Sequence, residues 1–219
     1  MPAPSLVQST IGRKVLMAAT GLALVGFVVA HMTGNLLVYA GREAMNDYAL
    51  FLREFLHGAG LWMARAALLG AVLIHIWAAW SLTRLSHAAR PAGYHRLEHD
   101  ASTLASRTMR WGGVTILLFV IYHLLHLTFG TVHPDFRHGD VYHNFITGFQ
   151  SVPVSLFYIA ANIALGLHLY HGGWSMFRTL GLTHPRHTRT VRLAFGALAV
   201  IVALGNLSFP VAVLAGWLR

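Results

Sequence analysis

Residues 111–130 read WGGVTILLFVIYHLLHLTFG, a run with no aspartate, glutamate, lysine or arginine but with two histidines, His123 and His126. About 20 apolar residues are what an α-helix needs to cross hydrocarbon, so the run reads as a membrane span with an ionisable group inside it. Four other runs share this character, and together the five cover residues 15–39, 61–82, 111–130, 152–177 and 191–218. Histidines recur in three of those four, as His31, His75 and His168, the last followed by His171. An ionisable side chain in the bilayer interior is costly to place and marks function by default. The fifth run has none; its Asn206, Ser208 and Pro210 predict a kink, and the run is expected to flank the core.

Composition agrees with five spans. The chain has 219 residues, 56% hydrophobic and only 11% charged, with mean hydropathy +0.57, whereas soluble domains are about a quarter charged. The spans take up more than half the chain, which leaves one membrane domain over residues 1–219. The first run is too long for a signal-peptide core and lacks a clean cleavage site, so it is kept as a span. The fold class expected is therefore an all-α membrane protein with five transmembrane helices.

The formal charge of +9 might be read as an affinity for nucleic acid, but its distribution argues against that. With the N-terminus inside, the inside segments hold Arg13, Lys14, Arg84, Arg90, Arg96, Arg107, Arg110, Arg178, Arg186, Arg189 and Arg192. The outside segments hold Arg42, Arg53, Arg137 and Arg219, and with them five of the seven acids, Glu43, Asp47, Glu54, Asp135 and Asp140. This is the positive-inside bias of a membrane protein, with its C-terminus outside. The absence of cysteine excludes disulfides, a cluster of iron and sulfur held by this chain, and covalent haem attachment.

Counting along the helices sorts the four histidines into two levels. His31 lies eight residues before Tyr39 and His123 seven before Gly130, both near the outer ends of their runs. His75 lies seven residues before Leu82 and His168 nine before Phe177, both in the inner halves. At 1.5 Å per residue the two levels stand very roughly 10 Å apart. Neutral imidazoles from facing helices are axial ligands for haem iron, so the first four helices read as a bundle holding two haems b, with His31 and His123 on the outer one and His75 and His168 on the inner one. Gly34 and Gly166 are candidates for letting a porphyrin approach the backbone. His126 and His171, three residues beyond a ligand, are too shallow or less well matched in depth, and are expected to bond propionates or polar groups near them. A divalent-metal transporter is the reading from a different class, but such proteins bring intramembrane carboxylates and these spans contain none.

The connecting segments add secondary candidates. Residues 41–60 have the apolar spacing of an interfacial helix. The loop over residues 83–110, broken at Pro91, is basic enough to dock a cytoplasmic partner. His133, His138 and His143 in the second outside loop, and His184 and His187 in the last inside loop, read as solvated. Arg65, a few residues inside the second span, is placed to snorkel outward or to neutralise an outer-haem propionate. Arg107 and Arg110 are placed for the inner propionates or for a partner.

With the histidines placed, their surroundings resemble a known family. The run HMTGNLL from His31, ARAALLGAVLIHIW around His75, ASRTMRWGG before the third span, FVIYHLLH around His123 and ALGLHLYHGGWSMFRTLGL around His168 look like the diheme cytochrome b anchor of bacterial succinate:quinone oxidoreductases and fumarate reductases, of the single-polypeptide, five-span kind. The resemblance covers roughly residues 10–218. It implies a bacterial cytoplasmic membrane, an iron–sulfur subunit and a flavoprotein subunit on the cytoplasmic side, and menaquinone or another quinone as redox partner. No succinate site is implied on this chain, and oligomerisation of the complex stays open. It also implies the same ligand assignment: His31 and His123 for the outer haem, His75 and His168 for the inner. Glu54 is the nearest candidate for a quinone-site acid beside the outer haem. The alternative within redox proteins is the cytochrome b anchor of another quinone-linked dehydrogenase, such as a formate dehydrogenase or hydrogenase.

Overall fold

A backbone in hydrocarbon has no partner for its N–H and C=O groups except itself, so each apolar run must close into a helix. The computed structural model describes residues 7–89 and 104–219, with side chains from residue 108 onward in the second segment. It contains α1 (Thr10–Asn35), α2 (Arg42–Glu54), α3 (Ala59–Ala88), α4 (Leu104–His123), α5 (Val141–Gln150), α6 (Val152–Thr179) and α7 (Pro185–Leu214). Five segments are long and apolar enough to cross a membrane: Thr10–Ala40, Ala59–Ala88, Thr108–Thr128, Val152–Thr179 and Pro185–Leu214. The described residues form no strand, and the chain is an all-α, multi-pass membrane protein.

The helices run past the apolar limits because caps set their ends. The Ser9 hydroxyl accepts the Gly12 N–H at 2.9 Å and starts α1 five residues ahead of the apolar run. A 3-10 turn over Leu36–Ala40 extends α1 and stops at Gly41, whose φ of 102° suits a residue without Cβ. The expected interfacial helix over residues 41–60 is α2. The segment after the third span, read from sequence as a loop, contains α5. Asp140 caps α5 by accepting the His143 N–H at 3.1 Å. Its Phe145, Ile146 and Phe149 are buried.

The spans divide into two layers. In one, α1 packs on α3; in the other, α6 packs on both α4 and α7. Small residues allow the close approaches, as in membrane bundles generally. Phe195 of α7 seats on Gly173 of α6, and Met32 of α1 seats on Gly205 of α7. The fifth span therefore builds the core with α5, through Val202, Phe209 and Val213, where sequence had put it at the flank. Pro210 does lie inside α7, as the predicted kink requires, while the Asn206 amide bonds the Val202 carbonyl at 3.0 Å. By contrast, α4 packs closely on neither α1 nor α3, and α3 does not pack closely on α6.

One face carries α2, α5 and the C-terminus, and is called here the C-terminal face. Arg42 pairs with the Asp140 carboxylate, and the Asn46 amide bonds Asp140 Oδ1 at 3.0 Å. Asn46 also accepts the Tyr142 N–H at 3.0 Å, so α2 and α5 are laced together. The Tyr39 hydroxyl donates to Ser208 at 2.8 Å, and that of Tyr142 to the Arg219 carbonyl at 3.0 Å. The opposite, N-terminal face includes Arg110, which donates to His87 Nε2 at 2.8 Å and ties α4 to the end of α3. The expected docking loop over residues 83–110 is shorter than the sequence suggested, since α3 runs on to Ala88 and α4 starts at Leu104; Arg90, Pro91, Arg96 and the Arg107 side chain lie outside the described residues.

The Arg42 guanidinium, backed by the Asn46 amide and the His143 N–H, holds the Asp140 carboxyl well below the usual carboxylate range. A carboxyl depressed in the folded state stabilises it above the unfolded value, about pH 4, and loses that effect as pH falls through the folded value. Asp140→Asn, which keeps the cap and removes the charge, should melt a few degrees below the parent protein at pH 7 in detergent. That gap should narrow as the pH is taken below about 4. Thermal unfolding followed by circular dichroism across this range measures both.

Candidate functional site

Across the gap between the layers, histidine rings face one another. The His31 and His123 ring centroids, on α1 and α4, are 5.8 Å apart with planes at 87°. Those of His75 and His168, on α3 and α6, are 6.4 Å apart at 62°. These are the pairs that depth counting predicted. A metal–imidazole bond of about 2 Å on each side, plus the two ring radii, puts trans imidazole centroids roughly 6 Å apart. Both separations fall close to that value. Tyr158, which touches the ring of His123, lies ten residues from His168 on α6. The two levels are therefore about 15 Å apart along the helix, more than counting to the ends of the apolar runs gave.

Neighbouring groups orient the rings. His75 Nδ1 lies 3.1 Å from the Met17 carbonyl and 3.2 Å from the Thr20 hydroxyl. The carbonyl can only accept, and the Thr20 proton is spent on the Leu16 carbonyl at 2.7 Å. Nδ1 therefore carries the ring proton and leaves Nε2 with a free lone pair. A metal-binding histidine is oriented in this way by its neighbours. Gly21 lies beneath the same ring, and a Cβ there would be 3.2 Å from His75 Cε1. In the partner ring, His168 Nδ1 is buried without a hydrogen-bond partner. At the other level Phe27 stacks on His31, with centroids 5.3 Å apart. The Tyr158 hydroxyl stands 3.4 Å from His123 Nδ1 and 3.0 Å from His126 Nδ1.

The fate of His126 was not legible from spacing. A π-helical turn over Leu124–Thr128, closed by the Phe129 N–H to Leu124 carbonyl bond at 2.8 Å, follows His123 directly. Such single wide turns recur at functional sites. The wider turn rotates His126 away from the direction of His123, and the ring becomes fully buried. It stacks on His133 with centroids 5.0 Å apart, and its Nε2 has no partner. His133, expected in solvent, donates from Nε2 to the Asn144 carbonyl at 2.7 Å and accepts the Asp135 N–H at 3.1 Å. His143 bonds Asp135 Oδ2 at 2.8 Å.

Other sequence candidates stand apart from the pairs. The Arg65 guanidinium lies over its helix neighbour Trp62, 4.9 Å from the ring centroid. His171 packs edge-on against Trp174, and its Nδ1 is unpartnered. Glu54 is the exposed last residue of α2, and among the described residues its carboxylate makes no hydrogen bond or ion pair. The turn after it is strained, with Leu56 and His57 both at φ 53°. Gly34 and Gly166 serve helix packing and leave no open cradle, since a Cβ on Gly34 would be 2.6 Å from the Tyr48 ring and one on Gly166 would be 3.3 Å from Ala203.

Among the described residues, no group of three or more His, Cys, Asp or Glu gathers to hold a metal ion. A bare zinc-like ion wants four ligands, whereas a haem brings its own in-plane nitrogens and takes axial ligands from the protein. Two facing imidazoles at each level fit the second case. No family model, curated protein or solved structure matches the chain.

His126 and His133 are locked against Gly148, where a Cβ would be 2.7 Å from His126 Cε1 and 3.1 Å from His133 Nε2. Gly148→Ala should therefore destabilise the folded protein by about 1–3 kcal/mol through overpacking. Chemical unfolding in detergent, with Gly70→Ala as the control at a helical glycine facing open space, measures the difference.

Proposed function

We propose that this chain is the diheme cytochrome b anchor of a succinate:quinone oxidoreductase or fumarate reductase. In this reading it carries electrons between an iron–sulfur subunit on the cytoplasmic side and a membrane quinone, usually menaquinone for this kind. The observation that carries the proposal is the pair of adjacent imidazoles at each of two levels, contributed by helices that do not pack closely on each other. Haem bound there supplies a one-electron redox centre.

The chain's own residues do the rest. His31 with His123, and His75 with His168, would each hold one haem from opposite layers. The Met17 carbonyl keeps the His75 ring proton on Nδ1 and leaves the Nε2 lone pair free. Tyr158 sits against His123 and limits how that ring can turn. The apolar spans keep water from both levels. Stacked levels make the anchor a conductor across the membrane, and flavin chemistry belongs to a separate subunit. Arg65, His126 and His171 are secondary candidates for holding propionates or ligands. Glu54, beside its strained turn, is the candidate proton acceptor for quinone.

A pyridine-haemochrome assay on the purified protein should return two haems b per chain. His31→Ala or His123→Ala should remove one and His75→Ala or His168→Ala the other, each leaving a distinct reduced-minus-oxidised spectrum. A colourless protein, or one haem per chain, overturns the proposal. Glu54→Gln should lower quinone-linked turnover at least tenfold with both haems retained, and unchanged turnover removes Glu54 from the site.

A further inference from the structure

At the Thr179 end of α6, residues His171, Trp174, Ser175, Arg178 and Thr179 form one helical stripe and line a cleft of about 360 Å³. The Arg178 guanidinium lies 5.4 Å from the Trp174 ring centroid. That of Arg192, reaching over from α7, lies 4.7 Å from the same ring. Two cations thus crowd one indole, and among the described residues neither has a carboxylate within ion-pair reach. Trp174 is only 9% exposed and its indole N–H has no acceptor, while His171 Nδ1 is likewise unpartnered. Like charges held together beside unsatisfied donors call for an anion.

The depth of the cleft identifies the source of that anion. It lies at the end of a membrane span, the level where tryptophan and arginine meet phospholipid headgroups. Leu182 and Leu193, close in sequence to the two arginines, are each 64% exposed and offer an apolar surface to acyl chains. Basic clefts between transmembrane helices bind anionic headgroups by this combination. We propose that this cleft binds the phosphate of an anionic phospholipid. Arg178 lies in the cleft and Arg192 adds charge from across the indole. The Ser175 and Thr179 hydroxyls, one turn apart, and the Trp174 N–H supply further donors. The site does not depend on the haem reading.

Native mass spectrometry of the full-length protein in detergent tests this, with dioleoylphosphatidylglycerol and dioleoylphosphatidylcholine as probes. The parent protein should retain one phosphatidylglycerol at concentrations where phosphatidylcholine is lost. Arg178→Gln/Arg192→Gln should weaken that retention at least tenfold. Arg84→Gln, which removes a guanidinium stacked on Trp80 alone, should leave it unchanged. Arg178→Lys/Arg192→Lys, which keeps the charge, should still prefer phosphatidylglycerol, and its loss to the level of the glutamine pair overturns the clamp. Equal retention by the parent and the glutamine pair also overturns the proposal, as does displacement of the lipid by millimolar inorganic phosphate. If the glutamine pair loses a porphyrin and keeps the lipid, the anion is a propionate and the lipid reading falls.

Discussion

An imidazole inside hydrocarbon must meet a partner, because no water is there to satisfy its nitrogens. Most of this architecture follows from that constraint. The α1/α3 layer and the α4/α6/α7 layer could close on each other with ordinary apolar packing, as other membrane bundles do. Instead α4 and α3 stand off from the opposite layer while four rings project into the space between. The tight packing lies elsewhere, along α6 and α7 and under α5. The bundle is dense on one side, and on the other the histidine-bearing faces of α3 and α4 make few contacts with the opposite layer.

The two levels are supported differently. The lower ring of the α1/α3 layer, His75, has its proton fixed by a backbone carbonyl, so its free lone pair is set by the fold alone. At the other level His123 meets a tyrosine hydroxyl that it shares with a buried histidine. A carbonyl offers one hydrogen-bonding role, whereas a hydroxyl can donate or accept. The second level therefore has a freedom of proton placement that the first lacks. Two histidine pairs in one helix bundle thus differ in their surroundings although the paired residues are of one type.

How much of this was legible follows from which signals are local. Depth within an apolar run is a count of residues, and counting was enough to pair His31 with His123 and His75 with His168. The separation of the levels was not, because caps such as Ser9 set the helix ends and the apolar runs do not. His126 bonds a polar group, the Tyr158 hydroxyl, as expected, but its full burial against His133 was not legible. Its spacing from His123 assumes an α-helical turn, and the π turn over Leu124–Thr128 changes its direction without leaving a mark in composition. The helix α5 did leave a signal. Val141, Phe145 and Phe149 recur every fourth residue behind an aspartate cap, but His143, Asn144 and Thr147 between them masked the apolar period. The glycines were the least legible. Gly34 and Gly166 look like open cradles in one dimension, and only the fold reveals Tyr48 and Ala203 lying against them.

The two faces also treat charge differently. On the C-terminal face, Arg42 pairs with Asp140 and Arg137 with Asp135, and the carboxylates there also cap and lace helices. Toward the N-terminal face, Arg13, Arg84, Arg178 and Arg192 lie over the indoles of Trp77, Trp80 and Trp174. An indole orients a guanidinium but does not neutralise it. On the first face the Arg42–Asp140 pair holds α2 to α5. Charge on the second remains available to anions from outside the chain, and that is the face a lipid headgroup or an acidic protein surface would recognise. Arg65, stacked on Trp62 near the start of α3, shows the same indole contact in the C-terminal half, so the contrast between the faces lies in the carboxylate pairs of the first and not in the stacking alone.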